Sequence, residues 1–306
     1  MDHEKRTITL EEAKKKLSDM NLIEDFLFTS VLSDKENGKK VAKILLSTFL
    51  NREIDVLDMT EQKVFNGLSS NYHGIRLDAY ITGVEETNIT GNQKATASIY
   101  DIEPENKVGE KKNLPRRNRY YSAIIDARNL KTGVNYDKLP ELVIITILSF
   151  DPFDLGDMYY EANTILKTHP LYPYDDGIRR LFFYTGGTNN ISNDNNGKAI
   201  ADMLRYIQDS HDINVMNDDI RDLDNIVSEV RKSEEVSIEY MKSWELEDYI
   251  RREAIDSTKE LDAYALIKNM RKLNASDDMI LSALINDLNI DSIRSEELLK
   301  DSMVVS

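Results

Sequence analysis

The sequence has no cysteine among its 306 residues. This absence excludes disulfide bonds, thiolate zinc sites and a cysteine nucleophile. Long apolar runs of the length needed to span a bilayer are also absent, and the charged start Met1–Arg6 is not followed by an apolar signal core. We therefore expect a cytoplasmic protein that has no membrane partner.

Positive charge is also scarce, because 39 Lys and Arg residues face 55 Asp and Glu residues and give a formal net charge of -16. Binding to a nucleic-acid backbone draws mainly on Lys and Arg. A chain of this charge would bind nucleic acid well only where its basic residues are concentrated. The distribution of charge along the sequence is therefore more informative than its total.

Hydrophobic periodicity changes along the chain. Apolar residues between Leu22 and Leu50 have helical spacing, whereas Gly74–Ile81 and Thr96–Glu105 alternate with a period of two. The polar segment Gly83–Lys94 between them predicts a hairpin with a long loop. Leu142–Leu148 is a continuous β-branched run, which is typical of a central strand buried on both faces. These patterns predict an α/β core.

A change in character near residue 190 divides the chain. We predict an α/β core over residues 20–190 and a helical region over residues 191–306, because the sequence after Lys198 has mainly helical periodicity. Within the core, Pro115 suits the first turn of a helix that we predict to end near Leu130.

Carboxylates cluster on the second predicted strand. Alternation places Asp101, Glu103 and Glu105 on one face, and Asp78 lies on the strand predicted beside it. Hard oxygen ligands in this arrangement suit Mg²⁺ or Mn²⁺. The alternative is that these acids lie on the solvated faces of two edge strands, a position that Pro104 also fits.

Several sequence blocks, taken together, resemble a known family. Arg76–Tyr80, Ile99–Glu105, Leu114–Tyr121 and Ile144–Phe153 occur in the order found in PD-(D/E)XK nuclease family transposases, also called recombination-promoting nucleases. The resemblance extends from about Asp25 to beyond Trp244. It implies a restriction-endonuclease-like core with a mixed sheet flanked by helices. It also implies divalent-metal-dependent DNA cleavage and a link to mobile DNA.

Carried over to this sequence, the family motif assigns roles to individual acids. Asp78 matches the first metal-binding aspartate and Glu103 the second acidic ligand, while Asp25 matches an accessory acidic position on the first helix. Glu105 occupies the catalytic position where the superfamily has Lys and this branch often has Gln. An ionised Glu can only accept hydrogen bonds, so we expect cleavage to be weakened and Glu105→Gln to raise it.

A basic segment follows the acidic strand, so positive charge is concentrated locally despite the negative net charge of the chain. The DNA-binding residues that we predict in it are Lys111, Lys112, Arg116, Arg117, Arg119 and Tyr120. Arg suits bidentate contact with phosphate. An equally good alternative is that Arg117 and Arg119 pair with the surplus carboxylates of the core.

Three functions follow from these patterns. The first is a DNA endonuclease that uses Mg²⁺ or Mn²⁺, the second a nuclease-fold protein that has lost cleavage and binds DNA or protein, and the third a helical scaffold. The carboxylate hairpin favours the first two. The sequence leaves a homodimer open.

Overall fold

The computed structural model describes residues 6–65, 75–89, 92–189, 191–192 and 194–304. These residues form two compact units, one spanning Lys14–Ser237 and the other Ile238–Ser306 together with Met1–Ala13. The α/β prediction is confirmed, because a mixed sheet with flanking helices is followed by a helical C-terminal region.

In the described part of the chain, three helices precede three strands, and a fourth helix separates these from three further strands. The helices are α1 (Leu10–Asp19), α2 (Asp25–Leu32), α3 (Gly38–Leu50), α4 (Leu114–Asn129), α5 (Asn195–Gln208), α6 (Asp218–Lys232), α7 (Glu234–Lys272), α8 (Asp277–Asn286) and α9 (Ser292–Val304). The strands are β1 (Asp55–Phe65), β2 (Ile75–Ile89), β3 (Asn92–Glu105), β4 (Glu141–Leu148), β5 (Tyr159–Ala162) and β6 (Ile178–Tyr184).

The six strands form one sheet in the order β1-β2-β3-β4-β6-β5. Strands β1, β2 and β3 are antiparallel neighbours, β3, β4 and β6 are parallel, and β5 pairs with β6 in the antiparallel sense. Every residue from Leu142 to Leu148 of β4 is buried, as expected of a strand covered on both faces. The predicted central strand is therefore confirmed.

Helix α4 links β3 to β4 and packs on one face of the sheet. Its Ile124 and Ile125 share a hydrophobic cluster with Ile99 of β3 and with Leu142 and Ile144 of β4. Side chains on a strand alternate between faces, so the acids at odd-numbered positions of β3 lie on the same face as Ile99. Helix α4 therefore covers the face that carries the candidate site.

The predicted long loop of the hairpin is wrong. Strand β2 continues to Ile89 and β3 begins at Asn92, and these two residues are still paired. The polarity of this stretch suggested a loop, but the backbone pairing of the two strands continues through it. Gly74, the first residue of the predicted strand, lies outside the described residues. Strands β1 and β5 were not predicted.

Helices α5 and α6 belong to the same compact unit as the sheet, which extends to Ser237 rather than to the predicted boundary at 190. Each helix buries an apolar stripe, including Met203 and Ile207 on α5 and Leu223 on α6. The Ile23 backbone N–H also donates to the Ile207 carbonyl at 3.0 Å. A helix with one apolar face must bury it, and these two bury theirs within the first unit.

The second unit has its own helical core. Ala263 and Ile267 of α7 pack with Ile280 and Leu284 of α8 and with Leu298 of α9. None of the helices in the part of the chain that the structure describes combines the length and apolar character needed to cross a membrane.

Candidate metal and nucleic-acid site

Asp78 and Glu103 lie together on the face of the sheet that α4 covers. The antiparallel register pairs Tyr80 with Asp101 and ends with Ala79 and Ile102, and Asp78 and Glu103 are the residues that adjoin this last pair. The Asp78 backbone N–H donates to Glu103 Oε1 at 3.1 Å. The structure therefore brings together the two residues that the sequence nominated as metal ligands.

The acids of β3 are buried rather than solvated. The exposed fraction is 0% for Asp101, 6% for Glu103 and 8% for Glu105. Strand β3 lies between β2 and β4, and α4 covers its acidic face. The alternative of solvated edge strands is therefore wrong, because β3 is an interior strand of the sheet.

Burial and mutual repulsion shift the titration of these acids. Burial, followed by the charges of Glu103 and Asp25, raises the pKa of Asp78 to about 9. Burial, followed by the charge of Asp78, raises the pKa of Asp101 to about 8. Burial, followed by the charge of Asp101, raises the pKa of Glu103 well above its usual range. Carboxyl groups held in this way need a proton or a cation at neutral pH.

Several buried polar atoms at the cluster find no donor or acceptor among the residues that the structure describes. Both carboxylate oxygens of Asp101 are buried and accept no hydrogen bond from an N–H or hydroxyl donor of these residues, and the carboxyl group lies within hydrogen-bonding reach of Glu103. The buried hydroxyl of Thr146, which pairs in parallel register with Glu103, also has no partner there. Two ionised carboxylates cannot hydrogen-bond to each other. Asp101 and Glu103 can therefore interact favourably only when they share a proton or a cation.

The donor set suits a hard divalent ion, with one restriction. Within the described ranges, no group of three or more His, Asp or Glu side chains is arranged to hold an ion. Mg²⁺ commonly uses only one or two carboxylates and keeps several water molecules. Asp78 and Glu103 could supply two such carboxylates, and the oxygens of Asp101 lie on the same strand face.

Glu105 is neutralised by an arginine of α4. Arg117 Nη1 donates to Glu105 Oε2 at 2.8 Å, and the Lys107 backbone N–H donates to Glu105 Oε1 at 2.9 Å. The Arg117 guanidinium also lies 6.0 Å from the ring centre of Tyr121. Of the two alternatives for Arg117, the structure favours pairing with a core carboxylate.

The remaining basic residues face outward. Lys112, Arg116, Arg119 and Tyr120 are exposed, and Lys111 forms an ion pair with Asp154. On α4, Arg117, Tyr121 and Ile124 or Ile125 follow helical spacing on the inward side, which turns Arg116 and Arg119 outward. The structure thus separates the predicted DNA-binding set into an exposed group and the inward-facing Arg117.

Asp25 lies at the first turn of α2 and is exposed. Its Oδ1 accepts a hydrogen bond from the Thr29 hydroxyl at 3.4 Å. Its charge contributes to the raised pKa of Asp78, after burial and Glu103. Asp25 is thus an exposed charge within electrostatic reach of Asp78, and its accessory role stays a prediction.

Comparison with family models, curated proteins and solved structures gives no significant match. The family resemblance therefore stays a prediction, and the candidate site must be judged on its own geometry.

Two residues of the site were not nominated from the sequence. Asp101 was placed on the acidic face but was not assigned a role, although strand alternation was sufficient to include it. Tyr121 was not singled out. Burial, and then the charges of Glu103 and Asp101, raise the pKa of Tyr121. Its position four residues after Arg117 on α4 could have indicated that the two side chains share one face of the helix.

Proposed function

We propose that this chain is a divalent-metal-dependent endonuclease that hydrolyses DNA phosphodiester bonds. The observation that carries the proposal is the buried cluster of Asp78, Asp101 and Glu103, in which neither oxygen of Asp101 accepts a hydrogen bond from an N–H or hydroxyl donor among the described residues. A protein that only needed a stable sheet would gain by replacing such acids with apolar residues. Perturbed carboxylates of this kind concentrate at functional sites.

Each acid would have a defined role in the reaction. Asp78 and Glu103 would hold Mg²⁺ or Mn²⁺, with Asp101 contributing negative charge behind them. A divalent ion at such a site supplies hydroxide near neutral pH and stabilises the charge that develops on the phosphoryl group. The Asp78 backbone N–H orients Glu103 through the 3.1 Å hydrogen bond to its Oε1.

The exposed basic residues support a nucleic-acid substrate. Lys112, Arg116 and Arg119 are exposed and belong to the segment that directly follows the acidic strand in the sequence, so positive charge is concentrated on this segment. Such residues contact phosphates without reading base sequence. The proposed role in recombination or mobile DNA rests on the sequence resemblance alone, and the sequence leaves a homodimer open.

A second candidate function is DNA or protein binding without cleavage. Glu105 stands where the family motif has Lys or Gln, and this observation favours the alternative, because Glu105 cannot itself donate a hydrogen bond to water or phosphate. The two functions assign different roles to the buried acids, which bind a metal ion only in the nuclease. A binding protein would not require a metal at Asp78 and Glu103.

Nicking of supercoiled plasmid separates the two functions. We expect Mg²⁺ or Mn²⁺ to support cleavage and EDTA to abolish it. Asp78→Asn and Glu103→Gln should each lower the single-turnover rate by about 100-fold or more, which is the usual scale for groups that act directly in catalysis. Asp137→Asn is a matched control, because Asp137 is exposed on a separate surface turn.

The control variant should cleave like the wild type. Metal-dependent DNA binding by the wild type without any nicking would favour the second candidate. Nicking that survives both Asp78→Asn and Glu103→Gln would mean that the cluster is not the active site.

A further inference from the structure

Arg117 is a largely buried cationic side chain whose charge acts on the acids of the candidate site. One of its terminal nitrogens binds Glu105 at 2.8 Å, and its charge lowers the pKa values of Asp78, Asp101 and Glu103. Among the described residues, it is the arginine whose charge acts on all three of these acids. A single guanidinium therefore lies within electrostatic reach of the whole cluster.

The hydrogen bonds of Arg117 are incomplete. Its Nε–H is buried and has no partner in the described part of the chain, although a guanidinium carries five donors in a fixed plane. A buried donor without an acceptor is unfavourable. The acceptors that could complete the set are oxygen atoms of a ligand that binds beside Glu105.

Glu105 holds this arginine in one orientation. Its Oε2 accepts from Arg117 Nη1, while its Oε1 accepts from the Lys107 backbone N–H at 2.9 Å. Both partners are largely buried, with 20% of the Arg117 side chain and 9% of the Glu105 side chain exposed. A planar guanidinium fixed at one edge has a defined direction for its other donors. Glu105 is thus a positioning residue rather than a free negative charge.

We propose that Arg117, held by Glu105, donates hydrogen bonds to the scissile phosphate and supplies the positive charge that position 105 itself lacks. This inference rests on the proposed nuclease function. Preorganised donors aimed at a developing negative charge stabilise the transition state of such reactions. The ion pair also reverses the expectation drawn from the sequence, because Glu105→Gln would now loosen Arg117 and slow cleavage.

Single-turnover plasmid nicking at saturating DNA tests the proposal, with the Mg²⁺ concentration varied. We expect Arg117→Ala to lower the maximal rate by about 100- to 1,000-fold, the usual effect of losing one such donor. The Mg²⁺ concentration needed for half-maximal rate should stay equal or fall, because removing a cation leaves the acids more negative. The maximal rate of Arg117→Lys should lie between those of the wild type and Arg117→Ala, because Lys keeps the positive charge but lacks the planar pair of donors of a guanidinium.

Two further measurements guard against a purely structural effect. Guanidinium ion added at millimolar concentration should restore part of the Arg117→Ala rate and leave the wild type unchanged. The double variant Glu105→Gln with Arg117→Met leaves no unpaired buried charge at this pair of positions, so it should fold and still be slow. Arg128→Ala is the matched control, because Arg128 is an exposed arginine in the last turn of the same helix and outside the predicted DNA-binding set, and it should keep the maximal rate.

The outcomes distinguish this inference from the proposed function. Absence of metal-dependent nicking in the wild type would overturn both. Nicking that requires Asp78 but proceeds at the wild-type maximal rate in Arg117→Lys and in the double variant would overturn the role of Arg117 alone. A slow Arg117→Ala variant that guanidinium does not restore, together with a double variant at full rate, would also overturn it.

Discussion

Asp101 is a carboxyl group enclosed by the sheet and α4, with 0% of its surface exposed. Neither of its oxygens accepts a hydrogen bond from an N–H or hydroxyl donor among the described residues, and burial raises its pKa to about 8. In the unfolded chain the same carboxyl group titrates near its ordinary value of 3.8. The folded state therefore keeps a proton on Asp101 at pH values where the unfolded state has lost it.

The sign of the resulting pH dependence follows from linkage. The folded state binds more protons than the unfolded state between pH about 4 and about 8, so Asp101 makes the free energy of unfolding fall as pH rises through this range. Asp101→Asn has no proton to lose. We expect the variant to be more stable than the wild type at pH 8 by about 1–3 kcal/mol, and less so at pH 5.

Denaturant unfolding in EDTA at pH 5 and pH 8 measures this difference. EDTA is needed because a bound cation would neutralise the same carboxylate. Asp137→Asn is the control, and an exposed substitution of this kind usually changes stability by less than about 0.5 kcal/mol. A stabilisation by Asp101→Asn that is equal at the two pH values would contradict the assignment of a buried titrating carboxyl group.

At the scale of secondary-structure elements, the sequence predicted β3 and β4 better than β1. Strict alternation in β3 gives one acidic face, and the uninterrupted apolar run in β4 gives burial on both sides. Strand β1 has no buried residue between Asp55 and Phe65 and mixes exposed with half-buried positions, so it shows neither a regular alternation nor an apolar run. An edge strand of this kind forms because the free backbone N–H and C=O groups along one side of β2 pair with it. This pairing is a tertiary effect that the local sequence does not encode.

Helix α4 shows why part of the site could not be assigned from the sequence. Its basic residues lie on several sides of the helix, and their spacing does not say which side meets the sheet. Ile124 and Ile125 decide the orientation, because they enter the apolar cluster and carry Arg117 inward with them. The ion pair with Glu105 is a further tertiary fact, since the two residues are 12 positions apart.

The exposed side of this segment leads to a prediction about salt. Lys111 is paired with Asp154, so the variant that tests phosphate binding replaces Lys112, Arg116 and Arg119 with Ala. We expect DNA affinity to fall similarly for unrelated sequences. The slope of log affinity against log salt concentration should become shallower by about 0.9 for each phosphate that the variant no longer neutralises.

The control removes the same charge elsewhere. Lys268, Lys272 and Lys300 are exposed residues of the second compact unit, and replacing all three with Ala should leave the salt slope unchanged. Fluorescence anisotropy with a labelled duplex at several salt concentrations measures both variants. Equal slopes for the wild type and the first variant would place the DNA-binding residues on another surface.

For the whole molecule, the net charge of -16 complicates any experiment with divalent ions. Mg²⁺ will accumulate around such a surface and stabilise the folded state slightly without a specific site. A thermal shift alone is therefore not informative. The difference between the wild type and a variant that lacks only the candidate ligands isolates the specific contribution.

We expect Mg²⁺ to raise the melting temperature of the wild type more than that of Asp78→Asn with Glu103→Gln, because ion binding to the native state stabilises it by mass action. In EDTA the double variant should have the higher melting temperature, because it lacks two acids whose pKa values burial has raised. The Mg²⁺ shift of the wild type should also grow from pH 6 to pH 8, because the ion must displace protons from these carboxyl groups. Differential scanning calorimetry at both pH values measures all three effects. If the double variant shows the full wild-type shift at pH 8, the stabilisation comes from the acidic surface, and Asp78 and Glu103 do not hold the ion.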